Sequence, residues 1–542
     1  MKVELTVATS ATYDDTLQRL VDDKVASKLA AQDPTVWGAE AESEASVRLS
    51  WVGLPLSSRP LLAEIDALRA QLWSEEIDQV VLCGMGGSSL APEVISRTYD
   101  VPLQILDSTS PSVVHETVSG DLSRTVVVIS SKSGGTLETD SQRRSFAAAF
   151  EAAGIDAASR FVVVTDPGSD LERLARDEGY RSVFLADPNV GGRYSALTAF
   201  GLVPTGLAGI DVAELLDEAE AVMERLAGDA ADNPALVLAA ALAGNDGRDK
   251  VAIVDLGSGI SGFADWAEQL IAESTGKLGK GVLPVAVEGP SAPEVQWPAS
   301  DVVVAVLVAP EAAGEAPEGV GEPWVAVSGT LGAQLLTWET ATAVAGRMLG
   351  INPFDQPDVE SAKKAARGLL DQQPEPDPAV LMHEGVEVRG PQGLLDGVDS
   401  LEGAISALLD QLGPDSYLAV MAYADSHRDR ALHRVREQLA RRTNRPVTFG
   451  WGPRFLHSTG QYHKGGPAQG VFLQITRDEP VDVEIPGRPF TFGTLIAAQA
   501  AGDAKVLAEH GRPVLRLHLV DWTASEHGEP DDGVTTLLEL LR

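Results

Sequence analysis

Two short segments combine glycine with hydroxyl side chains in a way that suits the binding of a negatively charged group. The first is GMGGSSLAPEV at residues 84–94, and the second is SKSGGTLET at residues 131–139. Glycines let backbone N–H groups approach an anion, and hydroxyl groups donate further hydrogen bonds to it. Neither segment has the spacing GxGxxG or GxxxxGK[ST], which disfavours a dinucleotide or a nucleoside triphosphate as the ligand.

The second segment carries the stronger signal because one hydroxyl would serve as a helix cap, whereas four hardly would. Its hydroxyl residues are Ser130, Ser131, Ser133 and Thr136. We predict that they bind a phosphate monoester together with backbone amides, and that Lys132 supplies a positive charge. Gly87 and Ser88 of the first segment are predicted to contact the same ligand, although a tight turn with a serine N-cap would look similar.

Both segments follow short apolar runs that read as strands. These runs cover residues 79–83, 103–107, 125–130, 161–165 and 182–186, with helical patterns between them. Near-continuous apolar strands that alternate with helices indicate a doubly wound parallel sheet covered on both faces, which is a three-layer αβα arrangement. In open α/β sheets, ligands bind at the carboxyl ends of the strands, so the two segments are predicted to form one pocket.

The α/β pattern recurs along the remaining chain. Further predicted strands lie at residues 250–256, 301–309, 417–423, 446–452, 470–476 and 513–520. We predict an N-terminal helical or extended segment (1–74), two doubly wound α/β domains (75–228 and 229–372) and a C-terminal α/β segment (373–542). The sequence leaves open whether this last segment is an independent domain or completes the second sheet.

The composition excludes several classes of partner. With 42 basic and 79 acidic side chains the formal charge is −37, so nucleic acids and anionic membranes would be repelled. The single cysteine, Cys83, excludes an intrachain disulfide and a multi-thiolate metal site, and we assign neither metal nor organic cofactor. The first residues turn acidic too soon for a signal peptide, and the apolar stretches are shorter than a bilayer span, so we expect a cytoplasmic protein.

The two glycine-containing segments together resemble the sugar-isomerase (SIS) fold, and in particular the glucose-6-phosphate isomerase family. Three further segments strengthen the resemblance and follow in the family's order: GGRYSALTAFGL at 191–202, QLIAESTGK at 269–277 and INPFDQPDVESAK at 351–363. The resemblance implies two SIS-type domains and a cofactor-free aldose–ketose isomerase for glucose 6-phosphate and fructose 6-phosphate. It also implies a homodimer, since family members are commonly dimers.

Isomerisation through a cis-enediolate needs a carboxylate that moves a proton and a fixed positive charge beside it. By the resemblance, Glu273 is the carboxylate and Arg193 the charge, with Gly192 and Gln269 contacting the substrate. Gln269 and Glu273 are four residues apart and therefore share one helix face. Glu273 falls in the last turn of its helix, where the negative end of the helix dipole should raise the pKa of the carboxyl group. A raised pKa suits a base that works near neutral pH. The ordinary alternative for Glu273 is a solvated glutamate at a helix end, and for Arg193 it is a surface ion pair.

The segment at 351–363 matches the family's second signature. The resemblance implies that Gln356 helps to hold the phosphate and that Lys363 assists opening of the pyranose ring. The glycine of the family pattern is Asp358 here, which places a carboxylate close to the predicted phosphate site. An aspartate is also an ordinary capping residue at a helix start.

The ring-opening histidine of the family lies between the glutamate segment and the second signature, and this chain has no histidine there. The later loop PRFLHSTGQYHKGGP, residues 453–467, resembles the corresponding loop of bacterial members and of the isomerase modules of transaldolase–isomerase fusions. Histidine can protonate a ring oxygen at neutral pH. His457 and His463 both qualify, and solvent-exposed loop histidines remain the ordinary alternative.

Two other functions are compatible with these patterns. One is a dual phosphoglucose/phosphomannose isomerase, which shares the fold. The other is a non-catalytic SIS protein that binds a sugar phosphate to regulate a partner. A regulator would keep the hydroxyl-rich loops but would not need Glu273, Arg193 and Lys363 together, so their joint presence favours the enzyme.

Overall fold

The computed structural model describes residues 3–8, 11–244, 247–372, 378–383, 385–391, 393–520 and 532–541. Within these ranges the side chains of residues 11, 359–363, 371–372 and 532–533 fall outside the description. The described strands form three sheets, each mostly or entirely parallel. The predicted mixed α/β class with several parallel sheets is confirmed.

The chain begins with one strand and a set of helices that precede the first complete sheet. They are β1 (Glu4–Ala8), α1 (Ala11–Asp22), α2 (Val25–Ala30), α3 (Glu42–Ala45), α4 (Leu54–Ser57) and α5 (Leu61–Ser74). The helices pack through buried residues such as Trp51 and Ile65. Strand β1 leaves this region and joins a distant sheet, which the local sequence could not indicate.

The first sheet is parallel throughout, with the order β3-β2-β4-β5-β6. Its strands are β2 (Gln79–Gly84), β3 (Gln104–Leu106), β4 (Thr125–Ser130), β5 (Phe161–Thr165) and β6 (Ser182–Leu185). The helices around it are α6 (Leu90–Thr98), α7 (Pro111–Val118), α8 (Leu137–Ala152), α9 (Asp170–Asp177), α10 (Ala199–Ala208) and α11 (Val212–Leu226). Every residue of β4 is buried, as expected for a central strand covered on both faces.

The second sheet has the order β1-β10-β9-β7-β8, in which only the N-terminal strand runs antiparallel to its neighbour. The elements are α12 (Pro234–Ala243), β7 (Lys250–Leu256), α13 (Phe263–Thr275), β8 (Leu283–Ala286), α14 (Pro293–Gln296), β9 (Val302–Val308), β10 (Trp324–Ser328), α15 (Leu331–Leu349) and α16 (Val359–Gln372). The pairing of Glu4 with Ser328 closes the edge of this sheet. The N-terminal strand is therefore part of the second sheet.

The C-terminal segment forms a sheet of its own, with the order β11-β12-β16-β15-β13-β14. Its elements are β11 (Leu381–His383), β12 (Val386–Arg389), α17 (Leu401–Leu409), β13 (Tyr417–Tyr423), α18 (Arg434–Thr443), β14 (Val447–Trp451), α19 (Gly460–Gly465), β15 (Gly470–Arg477), α20 (Phe492–Glu509), β16 (Val514–Leu519) and α21 (Asp532–Leu540). It does not extend the second sheet. Within the ranges described above, no helix has both the length and the apolar character that crossing a bilayer requires.

Candidate active site

The two glycine-containing segments begin side by side at one edge of the first sheet. Strand β2 ends at Gly84 and β4 ends at Ser130, and these two residues are direct partners in the parallel ladder. The carboxyl ends of parallel strands point the same way, so the segments that follow must meet at this edge. Ser88 lies buried in the short turn after β2, and Ser131 lies buried directly after β4.

The hydroxyl-rich loop between β4 and α8 has an internal structure of its own. The hydroxyl oxygens of Ser131 and Thr136 are 3.0 Å apart. The Gly135 N–H donates to Ser133 Oγ at 3.3 Å. Thr136 stands at the N-cap of α8, but its side chain makes no capping hydrogen bond. Simple helix capping therefore does not account for this hydroxyl group, and it remains suited to a ligand.

Lys132 differs from the expectation that it offers a positive charge to a phosphate. Its Nζ donates to the Asp166 carboxylate at 2.5 Å and to the Pro188 carbonyl at 3.4 Å. The ammonium group is thus occupied by a carboxylate at the end of β5. The loop offers an anion mainly its hydroxyl and amide donors.

Three segments approach the first glycine loop closely. A Cβ atom on Gly87 would lie 2.1 Å from the carbonyl oxygen of Gly192, so only glycine allows this contact. Gly86 has a φ of +58°, and a Cβ there would lie 2.8 Å from both Gln269 Nε2 and the His457 carbonyl oxygen. The glycines bring the arginine loop, helix α13 and the C-terminal histidine loop to one place.

We expect Gly87→Ala to force this loop away from the arginine loop. An overpacked buried contact costs about 1–3 kcal/mol. The displacement should also lower kcat/KM by about tenfold or more, because the two loops no longer meet. Gly53→Ala is the matched control, because a Cβ at Gly53 meets no atom within 4 Å. Steady-state kinetics and thermal unfolding of both variants test this. Unchanged kinetics in Gly87→Ala would show that the contact is not needed.

Arg193 is buried at the centre of these segments, with its side chain 3% exposed. Its Nε donates to Ser274 Oγ at 2.8 Å, and Nη1 lies 3.7 Å from Glu273 Oε2. Nη1 also donates to Gln356 Oε1 at 3.2 Å, and Nη2 donates to the Pro353 carbonyl at 2.5 Å. A guanidinium held on several sides is a fixed cation beside a carboxylate.

Helix α13 places Gln269 and Glu273 on one buried face, as their spacing predicts. Gln269 Nε2 lies 3.3 Å from Glu273 Oε2 and donates to the His457 carbonyl at 2.7 Å. The helix ends before Gly276, where a Cβ would lie 2.4 Å from the Cα of Tyr462. The C-terminal segment therefore packs directly against the end of the helix that carries the carboxylate.

Lys277 is a buried residue that the sequence argument did not single out, although it lies within QLIAESTGK. Its Nζ donates to the Asn352 carbonyl and to the Asp355 carboxylate, both at 2.8 Å. Burial and the neighbouring Arg193 charge lower the pKa of Lys277 to about 8. At pH 7 it is still mostly protonated, and it ties the 351–356 segment to the end of α13.

His457 has a carboxylate partner that the sequence argument also missed. Its Nε2 lies 3.2 Å from Glu138 Oε1, and Gln499 Nε2 donates to the same oxygen at 2.8 Å. Glu138 stands in the first turn of α8, two residues after Thr136. The imidazole and the carboxylate are thus within hydrogen-bonding distance of each other. The signal was present in SSKSGGTLET, but nothing local connects Glu138 to a histidine 319 residues away.

His463 lies in a different environment, inside an aromatic cluster. Its Nδ1 is 3.0 Å from the Tyr417 hydroxyl, and its ring packs against Phe455 and Phe472. Burial, with smaller contributions from Lys464 and Arg512, holds the pKa of His463 well below its ordinary value. Its imidazole is neutral at pH 7 and cannot donate a proton as imidazolium. The structure thus favours His457 over His463 as an acid.

Asp358 stands where the family pattern has glycine, and it forms hydrogen bonds with Gln461 of the C-terminal loop. Its N–H donates to Gln461 Oε1 at 3.0 Å, and Gln461 Nε2 donates to Asp358 Oδ2 at 2.7 Å and to the Gly276 carbonyl at 2.8 Å. The carboxylate is thereby tied to the C-terminal loop. Lys363 belongs to α16, but its side chain lies outside the described part of the chain, so its predicted role is not examined by the structure.

The arrangement can bind an anion and move a proton next to it. The glycine loop packs against the arginine loop, helix α13 and the histidine loop. Glu138, which follows the hydroxyl-rich loop by two residues, lies 3.2 Å from His457. Buried carboxylates and histidines in such an arrangement are typical of general acid–base chemistry. The permanent Arg193 cation can stabilise negative charge that develops beside Glu273.

The chain is similar in sequence to known isomerases. The family model described as Phosphoglucose isomerase matches residues 65–285. A probable glucose-6-phosphate isomerase from Methanococcus maripaludis is 28% identical over 352 residues, which cover 55% of this chain and 80% of the relative. A glucose-6-phosphate isomerase from Citrifermentans bemidjiense is 37% identical over 211 residues, which cover 36% of this chain and 40% of the relative.

A solved structure supports the fold. A glucose-6-phosphate isomerase from Chlamydia trachomatis superposes with a TM-score of 0.55 and covers 68% of this chain and 89% of its own. Its sequence identity is 20%, so the likeness concerns the fold. The aligned part of the Citrifermentans bemidjiense enzyme is less than half its length.

Proposed function

We propose that the chain is a member of the phosphoglucose isomerase family and that it interconverts glucose 6-phosphate and fructose 6-phosphate. The observation that carries the proposal is the pair formed by Glu273 Oε2 and Arg193 Nη1, which are 3.7 Å apart and both buried. The glycine loop, which is predicted to bind phosphate, packs against the loop that carries Arg193. An aldose–ketose isomerase needs this combination of a proton carrier, a fixed cation and an anion site.

The proposed reaction begins with substrate binding. Phosphate oxygens accept hydrogen bonds from Ser88, Ser131, Ser133 and Thr136 and from amides of their loops. His457, whose Nε2 lies 3.2 Å from Glu138, then gives a proton to the ring oxygen while the anomeric hydroxyl loses one, and the open-chain aldehyde forms. Lys363 assists this step in the proposal. In the proposal Gln269 orients the open chain, and Gln356 helps to hold the phosphate.

Glu273 carries out the proton transfer in the proposal. Starting from the aldose, the carboxylate of Glu273 removes the C2 proton, the C1–C2 double bond forms and negative charge moves to O1. The Arg193 guanidinium stabilises this enediolate. Glu273 returns the proton to C1, the O2 hydroxyl proton is transferred to O1, and C2 becomes the carbonyl carbon. No redox partner is required because the oxidation at C2 balances the reduction at C1.

The direct test is a coupled assay in which glucose 6-phosphate formed from fructose 6-phosphate is measured continuously. We expect turnover in the range common for enzymes, about 1–10³ s⁻¹. Saturable binding of fructose 6-phosphate with no turnover would contradict the proposal and favour a non-catalytic sugar-phosphate sensor. The same assay with mannose 6-phosphate distinguishes a dual phosphoglucose/phosphomannose isomerase.

His457→Asn should lower kcat for glucose 6-phosphate about 10²-fold, because the general acid is lost while the ring still opens slowly in water. His463→Asn is the matched control in the same loop. It should lower stability by about 1–3 kcal/mol through the unpaired Tyr417 hydroxyl and leave kcat of the folded protein unchanged. Both variants are compared by the coupled assay and by thermal unfolding.

A four-carbon aldose 4-phosphate separates ring opening from proton transfer. Its C4 hydroxyl is esterified, so it cannot close a five-membered ring and needs no ring-opening acid. We expect His457→Asn to isomerise this substrate as fast as the unmodified enzyme. An equal loss on both substrates would assign His457 to the proton transfer or to loop positioning instead.

We further place the protein in the cytoplasm as a homodimer. The absence of a spanning helix among the described residues is compatible with this location, and the family resemblance supports the dimer. Light scattering after size-exclusion chromatography should give twice the chain mass of 57.0 kDa. A monomeric mass with full activity would remove the dimer from the proposal without affecting the catalytic assignment.

A further inference from the structure

A cavity of about 570 Å³ lies behind the hydroxyl-rich loop, between α8, α9, α16 and the turn that precedes α20. Ser131, Gly134 and Gly135 form part of its wall. Neither Glu273 nor Arg193 nor His457 is among its lining residues. The cavity therefore shares the hydroxyl-rich loop with the candidate active site but is not lined by the proposed acid–base residues.

Three arginines of this cavity converge on one carboxylate. Arg143 donates from Nε and Nη2 to Asp140 Oδ1 at 3.1 and 2.9 Å. Arg144 donates to Asp140 Oδ2 at 2.7 Å, and Arg488 reaches the same oxygen at 2.9 Å. Within the cavity wall, one carboxylate thus faces three guanidinium groups. A further carboxylate, Glu178, lies 4.0 Å from Arg143 Nη1 but does not line the cavity.

The rest of the lining keeps the positive charge of the wall in excess. Arg367 of α16 adds a fourth guanidinium, and Asp170 adds a second carboxylate that is itself paired with Arg173 outside the cavity. Four arginines against two aspartates leave a charge of 4 − 2 = +2 in the wall. The chain as a whole carries −37, so this local field is opposite to that of the rest of the molecule.

The backbone and the neighbouring side chains hold the arginines in place. Gly487 has a φ of +74°, and a Cβ there would lie 2.9 Å from Arg144 Nη1, so glycine lets the turn approach the guanidinium. Arg144 Nη1 also donates to the Pro486 carbonyl at 3.2 Å. Arg143 Nη1 donates to the Tyr180 hydroxyl at 2.9 Å. Guanidiniums fixed in this way need little reorganisation to receive an anion.

The chemistry of the wall identifies the class of ligand. Arginine binds phosphate oxygens through paired N–H groups, and an excess of two positive charges suits a ligand with at least two negative ones. The opposite wall is apolar and includes Leu137, Leu171, Leu370 and Phe490. A volume of about 570 Å³ is within the range of small-molecule sites. We propose that this cavity binds a small organic molecule carrying two phosphate groups or a diphosphate.

Inorganic pyrophosphate is the probe, titrated calorimetrically into the full-length protein at low ionic strength. The test variant is Arg367→Gln combined with Arg488→Gln, since both side chains are solvent-accessible and neither belongs to the proposed catalytic site. The matched control is Arg124→Gln combined with Arg176→Gln. These two arginines pair with Asp78 and Glu172 on the surface and do not line the cavity. Both double variants remove two positive charges.

We expect pyrophosphate to bind the unmodified protein and the control variant with equal affinity. It should bind the test variant more weakly, by about tenfold or more. Binding should persist when fructose 6-phosphate is saturating, and thermal unfolding checks that both variants are folded. The proposal is overturned if pyrophosphate does not bind the unmodified protein, or if the control variant binds it as weakly as the test variant. It is also overturned if fructose 6-phosphate displaces pyrophosphate while the test variant binds pyrophosphate normally. Isomerase activity does not enter this result, so the proposed function is judged separately.

Discussion

Glu273→Gln should lower kcat for fructose 6-phosphate by about 10³–10⁴-fold and leave the substrate dissociation constant nearly unchanged. Glutamine keeps the size of the side chain and its contact with Gln269, but it cannot accept and return a proton. The loss therefore falls on the proton transfer and not on binding. Steady-state kinetics, together with calorimetric titration of fructose 6-phosphate, measures the two quantities separately.

Glu268→Gln on the same helix is the control for this prediction. Burial, helped by the neighbouring Asp265 charge, raises the pKa of Glu268 to about 8, so this carboxyl is mostly protonated at pH 7. Glutamine resembles the protonated acid in shape and charge, and kcat should change little. If Glu273→Gln raised the dissociation constant and left kcat unchanged, Glu273 would be a binding residue and the mechanism would be wrong.

Arg193→Lys should lower kcat by about 10²–10³-fold, because a lysine cannot keep the guanidinium position beside Glu273. It would also lose donors to Ser274, Gln356 and the Pro353 carbonyl, so we expect lower thermal stability as well. The measurement is kcat per folded molecule, taken below the unfolding transition of the variant.

Arg436→Lys separates the two effects of the Arg193 substitution. Arg436 is fully buried and binds Glu288 and Glu294, and none of these three residues belongs to the proposed catalytic site. Its replacement should reduce stability in a similar way and leave kcat unchanged. A fall in kcat of the same size in both variants would mean that Arg193 acts only through packing.

The parts of the fold that depend on local patterns could be predicted from the sequence. The apolar run at 125–130 and the run at 250–256 have the bounds of β4 and β7, because buried parallel strands are apolar along their whole length. The two loops after β2 and β4 were likewise predictable, since strand, glycine and hydroxyl residues follow one another directly. Helical spacing was enough to place Gln269 and Glu273 on one face.

The parts that depend on contacts between distant segments could not be predicted. The pairing of Glu4 with Ser328 and that of His457 with Glu138 each join residues more than 300 positions apart. Local composition carries no signal for such pairings. The ion pair of Lys132 with Asp166 could not be predicted for the same reason, because this carboxylate lies at the end of the neighbouring strand.

The central claim is that a buried carboxylate moves a proton through an enediolate, and proton NMR in D₂O tests it most directly. Fructose 6-phosphate is incubated with the enzyme, and the hydrogen at C2 of the glucose 6-phosphate formed is followed over many turnovers. The account predicts deuterium at C2 with the unmodified enzyme and none with Glu273→Gln. Rapid isomerisation that keeps the substrate hydrogen throughout, or full deuteration by the variant, would contradict it.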